Sequence, residues 1–190
     1  MPPWYELLPL LLGAYLLGAV PFGLLVTRIF AGKDVRSVGS GNIGATNVVR
    51  AAGKVAGALT LVLDAAKAAL PTLLALKLFG LGVASAVGMA AFVGHLFPVY
   101  LRFHGGKGVA TALGIFLVLA PWVALGALAA YALTLGLTRV SALGSLAAVS
   151  VALALVILTR KPPPVLAAGL GIWLLITYRH RSNLAAWRKR

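Results

Sequence analysis

Long apolar runs separated by short glycine-rich polar islands dominate this chain and leave few folds open to it. From Trp4 to about Ile29 the only charged side chains are Glu6 and Arg28. At about 1.5 Å of rise per helical residue, that run can cross a hydrocarbon core needing roughly 20 residues. Further apolar stretches cover about 55–78, 80–101, 109–137, 141–159 and 164–179. Oil cannot satisfy backbone polar groups, so each stretch is expected to be a helix, and with no repeat or linker in sight residues 1–190 form one bundle domain. The run after the amino terminus has no basic leader and no evident cleavage site, so the first helix is expected in the mature protein.

The stretch 109–137 is too long for one ordinary span and contains Pro121. One tilted helix there makes six spans; a turn at Pro121, giving short helices at about 109–120 and 122–138, makes seven. Charge decides, because cytoplasmic loops carry excess Lys and Arg. Seven spans with an external amino terminus leave only Lys77, Arg160 and Lys161 outside, whereas six would export the basic tail with Arg188, Lys189 and Arg190. The fold class is therefore all-α: a polytopic seven-helix bundle, its two short helices expected to pack inside with unwound backbone lining a polar cavity. Both glycine-rich islands, the turn from Arg139 to Ser145 and the His180–Asn183 tail then share the cytoplasmic face.

The first island, Ser40 to Arg50, reads Ser-Gly-Asn-Ile-Gly-Ala-Thr-Asn-Val-Val-Arg. It packs the donors of Ser40, Asn42, Thr46 and Asn47 into turn-forming backbone. A helix starting near Thr46 or Asn47 would offer its positive end to an anion, with Arg50 one turn along. The second island runs from Gly94 and His95 to Gly105-Gly106-Lys107-Gly108. A lysine among glycines can cradle phosphate with backbone N–H groups and charge. It is no nucleotide loop: Gly108 follows Lys107 where Ser or Thr would hold magnesium, and Leu101 stands where the leading glycine belongs. His95 reads either as a substrate donor or as a residue fixing a helix end. Asp64 and Lys67, three apart within a span, can pair, and no catalytic role is assigned to them.

A net charge of +14, from 17 Lys and Arg against Glu6, Asp34 and Asp64, admits nucleic acid, anionic lipid or an anionic substrate. The cations are dispersed between spans without interleaved aromatic stacking positions, which argues against nucleic acid. With no cysteine there is no thiolate nucleophile, and His95, His104 and His180 show no ligand spacing, so no bound metal is expected. No acid stands ready to orient a catalytic base, so covalent catalysis is unsupported. The histidine–four residues–aspartate pattern is missing too, since Tyr100, Val109 and Ala185 hold the fifth position after each histidine. Catalysis by positioning and charge neutralisation remains, with a transporter of small phosphorylated anions as the competing reading.

These segments, together with Thr138-Arg139-Val140-Ser141, Ser145, His180 and Asn183, resemble the bacterial PlsY family of membrane glycerol-3-phosphate acyltransferases. The resemblance implies a multi-pass protein of the bacterial inner membrane with its carboxyl terminus in the cytoplasm. It implies acyl transfer from acyl phosphate to the sn-1 hydroxyl of glycerol-3-phosphate, with membrane lipid around it, no cofactor and no obligate protein partner. By motif match Ser40, Arg50, Lys107, His180 and Asn183 would hold glycerol phosphate. Thr46, Asn47 and the Gly105, Gly106 and Gly108 backbone would meet acyl phosphate, with Asn42, His95, Ser141 and Ser145 as further substrate contacts. After Asn183 the chain departs from the family's usual Arg and Gly-x-Glu continuation, and no role is carried over there.

Overall fold

The computed structural model describes residues 3–183 apart from the side chain of Trp4. The Arg188–Arg190 tail thus lies outside the described residues. The described chain forms α1 (Trp4–Ala19), α2 (Phe22–Ala31), α3 (Ala45–Phe79), α4 (Leu81–Leu96), α5 (Val109–Leu119), α6 (Pro121–Thr138), α7 (Ser141–Leu158) and α8 (Pro163–Arg179). Five apolar segments are long enough to cross a membrane, and α5 and α8 are shorter apolar helices. The chain is a multi-pass membrane protein.

The first span is two helices rather than one. Pro21 cannot donate an N–H to the ladder, so α1 stops at Ala19 and α2 restarts at Phe22. A second break divides α3 at Gly53, whose φ of 87° suits a residue without Cβ. The stub 45–52 carries Thr46, Asn47 and Arg50, and the remainder of α3 is long enough to cross a membrane. Pro121 opens α6, as the turn reading of 109–137 requires.

Small residues set the helix spacing. A Cβ on Gly18 would strike the Ala91 backbone, one on Gly94 the Tyr15 carbonyl, and one on Gly114 the Ala65 carbonyl, so α1 with α4 and α3 with α5 cross at close range. Inside lie Phe92, Leu96, Ile115, Val156, Ile172 and Ile176, whereas Ile29, Val62, Leu70, Trp122 and Leu158 face outward. Such an apolar exterior suits lipid and would be an aggregation hazard in water.

Only one of the two halves of 109–137 packs inside as expected. α5 is enclosed by α3, α4, α6 and α8, but α6 sits at the periphery with Trp122, Leu133 and Leu137 exposed. Its 18 residues span ~27 Å, close to a full crossing, and its outward face is apolar, so lipid contact costs little. The α5–α6 break lines neither of the polar cavities described below.

Candidate functional site

Asn47 organises the first island from within. It is 2% exposed, and its Nδ2 donates to the carbonyls of Val35 (3.0 Å), Val38 (2.9 Å) and Asn42 (2.9 Å) while Oδ1 accepts from Ser40 N (3.1 Å). Its amide is spent on the loop's own backbone. Asn42 Oδ1 accepts from Gly44 N at 2.8 Å, which shapes the entry into α3. Gly39, at φ 55°, lets the chain turn where a Cβ would sit 2.6 Å from Asn47 Oδ1 and 3.3 Å from Arg50 Cδ. The apolar side chains of Val35, Ile43 and Val48 are buried against Leu24 and Val26, so the island rests on a small core of its own. Asn47→Ala removes the donor from three carbonyls at once. We expect a loss of stability of ~1–3 kcal/mol and a raised KM, read by thermal melting in detergent and by steady-state kinetics.

The second island is held from two sides. Gly106 N donates to the His95 carbonyl at 3.1 Å, and a Cβ on Gly108 would strike Phe92 and Leu96. From α8, Arg179 donates through Nε to the Gly106 carbonyl (3.1 Å) and through Nη2 to the Gly105 carbonyl (2.6 Å). Lys107, carried next in the chain, donates through Nζ to Asn183 Oδ1. Burial pushes the Lys107 ammonium below its ordinary range, and the charges of Arg179 and Arg50 push the same way. An anion bound there would relieve that repulsion.

A cavity of about 330 Å³ opens between these parts, lined by Ser40, Asn42, Lys107, Arg179, Arg181, Ser182 and Asn183. That is a volume at the low end for a small-molecule site, which runs from ~300 Å³ upward. Its lining contains three cations and no carboxylate. A neighbouring cavity of about 240 Å³ shares Ser40, Asn42 and Arg179 and adds Arg36 and His104. Arg36 is held by Asp34, with Nη2 to Oδ2 at 2.6 Å, and that guanidinium keeps the Asp34 carboxyl well below the usual carboxylate range.

The remaining candidates fall into three places. Thr46 Oγ1 lies 3.1 Å from Ser141 Oγ, which also lies 2.9 Å from the Tyr131 hydroxyl, so hydroxyls join α3 to the α6–α7 turn. Ser145 is buried and donates to the Ser141 carbonyl. His180, 2% exposed, lies 2.8 Å from the Ile176 carbonyl through Nδ1. A carbonyl cannot donate, so Nδ1 carries the proton and Nε2 is the acceptor in the neutral ring. His95 is buried beneath the second island beside Asp64 and Lys67, away from both cavities.

Burial holds His180 down at about 4, with Lys107 and Arg179 adding to the effect. Between the unfolded value of 6.5 and about 4 the unfolded chain binds the extra proton, so stability is present above that window and is lost as pH falls through it. The melting temperature in detergent is expected to drop between pH 6.5 and 4, and less so in His180→Asn.

Arg179, Arg181 and Ser182 escaped the residue-by-residue reading. One signal could have found the first: Arg179 and Asn183 are four apart, the spacing that stacks side chains on one helical face.

The chain as a whole is similar to known proteins. A family profile described as glycerol-3-phosphate acyltransferase matches residues 8–190. A protein of that name from Anaeromyxobacter dehalogenans strain 2CP-1 is 56% identical over 189 residues, covering 93% of this chain and 94% of the relative. Another of that name, from Myxococcus xanthus strain DK1622, is 48% identical over 183 residues, covering 95% of each. The crystal structure of PlsY, an integral membrane glycerol 3-phosphate acyltransferase, in its glycerol 3-phosphate form matches with a TM-score of 0.93 at 40% identity, covering 97% of this chain and 92% of that one. Its lysophosphatidic acid form matches with a TM-score of 0.91 at 38% identity and the same coverage.

Proposed function

This chain belongs to the glycerol-3-phosphate acyltransferase family, and from that premise we propose that it moves a fatty acyl group from acyl phosphate to the sn-1 hydroxyl of glycerol-3-phosphate. The products are lysophosphatidate and inorganic phosphate. The observation carrying this reading is the convergence of Ser40, Lys107, Arg179, Arg181 and Asn183 on one cavity without a lining carboxylate. Two phosphates brought together repel each other, and a site of clustered cations offsets that repulsion in both ground and transition states.

Glycerol phosphate sits against Ser40, Lys107 and Asn183, with Arg50 and His180 behind. Because the His180 Nδ1 proton points to the Ile176 carbonyl, Nε2 accepts from a glycerol hydroxyl. The glycerol oxygen attacks the acyl carbonyl carbon, the acyl carbon–oxygen bond to phosphate breaks, and the departing phosphate takes the hydroxyl proton. No acyl-enzyme forms. His180 is a weak base at about 4, and Asp64 lies away from the cavity, which leaves the phosphate as the proton's destination. Thr46, Ser141 and the Gly105–Gly108 backbone meet the acyl phosphate. Lys107, Arg179 and Arg181 line the first cavity and Arg36 the second, and cations gather on the cytoplasmic side of a membrane protein, so in this reading the cavities face the cytoplasm.

Purified protein in detergent, given glycerol-3-phosphate with either acyl phosphate or acyl-CoA, tests the donor. Lysophosphatidate formed with acyl phosphate alone is expected; formation with acyl-CoA at the same rate would overturn the donor assignment. Labelled glycerol phosphate accumulating unchanged inside vesicles would favour transport instead.

A further inference from the structure

Directly under the second island lie three buried ionisable side chains that the transfer chemistry does not touch. Asp64, Lys67 and His95 are 2%, 3% and 3% exposed. Asp64 Oδ1 is 2.8 Å from Lys67 Nζ and 3.6 Å from His95 Nδ1, and it meets hydrogen-bond geometry with neither; His95 Nδ1 likewise has no hydrogen-bond partner. Lys67 Nζ donates to the Val20 carbonyl at 2.8 Å, at the break between α1 and α2, and lies 5.6 Å from the Phe22 ring centre.

Stability alone is a poor reason for such a cluster. Taking a carboxylate and an ammonium out of water costs several kcal/mol per ion, and apolar side chains of similar volume commonly do as well or better. Position offers a better reason. The His95 carbonyl accepts from Gly106 N at 3.1 Å, and the imidazole Nε2 lies where a Cβ on Gly106 would be. Arg179 binds the Gly105 and Gly106 carbonyls. The glycine loop is thus met by both the His95 ring and the Arg179 guanidinium. Asp64 Oδ1 stands 3.6 Å from the His95 ring and 2.8 Å from Lys67 Nζ, which reaches the Val20 carbonyl at the α1–α2 break.

We propose that Asp64, Lys67 and His95 are positioning residues, whose buried cluster fixes the height of the Gly105–Gly106 backbone and so delivers Lys107 to the glycerol phosphate. The inference rests on the site reading given above, in which Lys107 holds that substrate. A displacement near 1 Å at a reacting group can cost ~100-fold.

The test is a double-mutant cycle between His95→Ala and Lys107→Ala in the full-length protein, with kinetics against both substrates and melting in detergent. His95→Ala alone should lower kcat/KM for glycerol-3-phosphate ~10- to 100-fold, raising the KM for glycerol-3-phosphate and leaving that for acyl phosphate within about threefold. A purely structural role would shrink the active fraction and move neither KM. In the Lys107→Ala background His95→Ala should cost less than about threefold more, since what it positions is gone. A full multiplicative loss, or unchanged KM values, overturns the proposal. If His95→Ala fails to fold, Asp64→Leu with Lys67→Met removes both charges together and takes its place in the cycle, with the same outcomes deciding. A Lys107→Ala protein of normal activity would instead remove the site reading, and the positioning role with it.

Discussion

Lys107→Ala is expected to lower turnover by on the order of 100- to 1,000-fold while the protein keeps its melting temperature. The ammonium lies in the cavity wall against Asn183 Oδ1, and burial together with Arg179 and Arg50 already strains its charged state. Nothing in the apolar core depends on it, so stability should be spared. Arg50→Ala, one turn beyond Asn47 and beside Gly39, should show a loss of similar kind. Steady-state kinetics with acyl phosphate and glycerol-3-phosphate, run beside thermal melting, decide the matter. Near-normal activity in both variants would reject these assignments.

Arg179 should prove as costly, and for a reason of shape. Its guanidinium donates to two consecutive carbonyls of the glycine loop and also lines both cavities. Arg179→Ala therefore loosens the loop and removes a cation, and a drop in kcat/KM of about 100-fold or more is expected. The informative variant is Arg179→Lys. It keeps the charge, but a single ammonium cannot reproduce a planar fork that spans two acceptors, so it should recover only a small part of the activity. Full recovery would mean that field strength alone matters at this position and that the fork is incidental.

Much of the frame was legible in the residues. Pro121 marked the α5–α6 break, and the polar run before Arg50 placed the start of α3 within two residues of Ala45. The family resemblance, rather than the residues alone, puts Lys107 and Asn183 together on glycerol phosphate; in the structure these two side chains, 76 positions apart, are hydrogen-bonded. Less legible was what each donor does. The family resemblance makes Asn47 a substrate contact, whereas its amide here serves the carbonyls of Val35, Val38 and Asn42, because a buried turn must satisfy its own backbone first. The sequence around His95 fits either a substrate donor or a helix-end residue, and its burial against Gly106, beside Asp64 of another helix, depends on packing that the local sequence does not contain. The outward seat of α6 turned on its length and on which neighbours remained for its apolar faces.

By itself the sequence determined the solvent and the apolar helical runs, though not the breaks at Pro21 and Gly53, since hydrophobic run length acts locally and needs no partner. Only the tertiary structure decided which side chains reach the cavity and which are consumed in holding it. Arg179 meets Gly105 and Gly106 across 74 and 73 positions, and Thr46 meets Ser141 across 95. Such pairings depend on how helices cross, and close crossings arise jointly from small residues on both faces, a relation that no single stretch of chain contains.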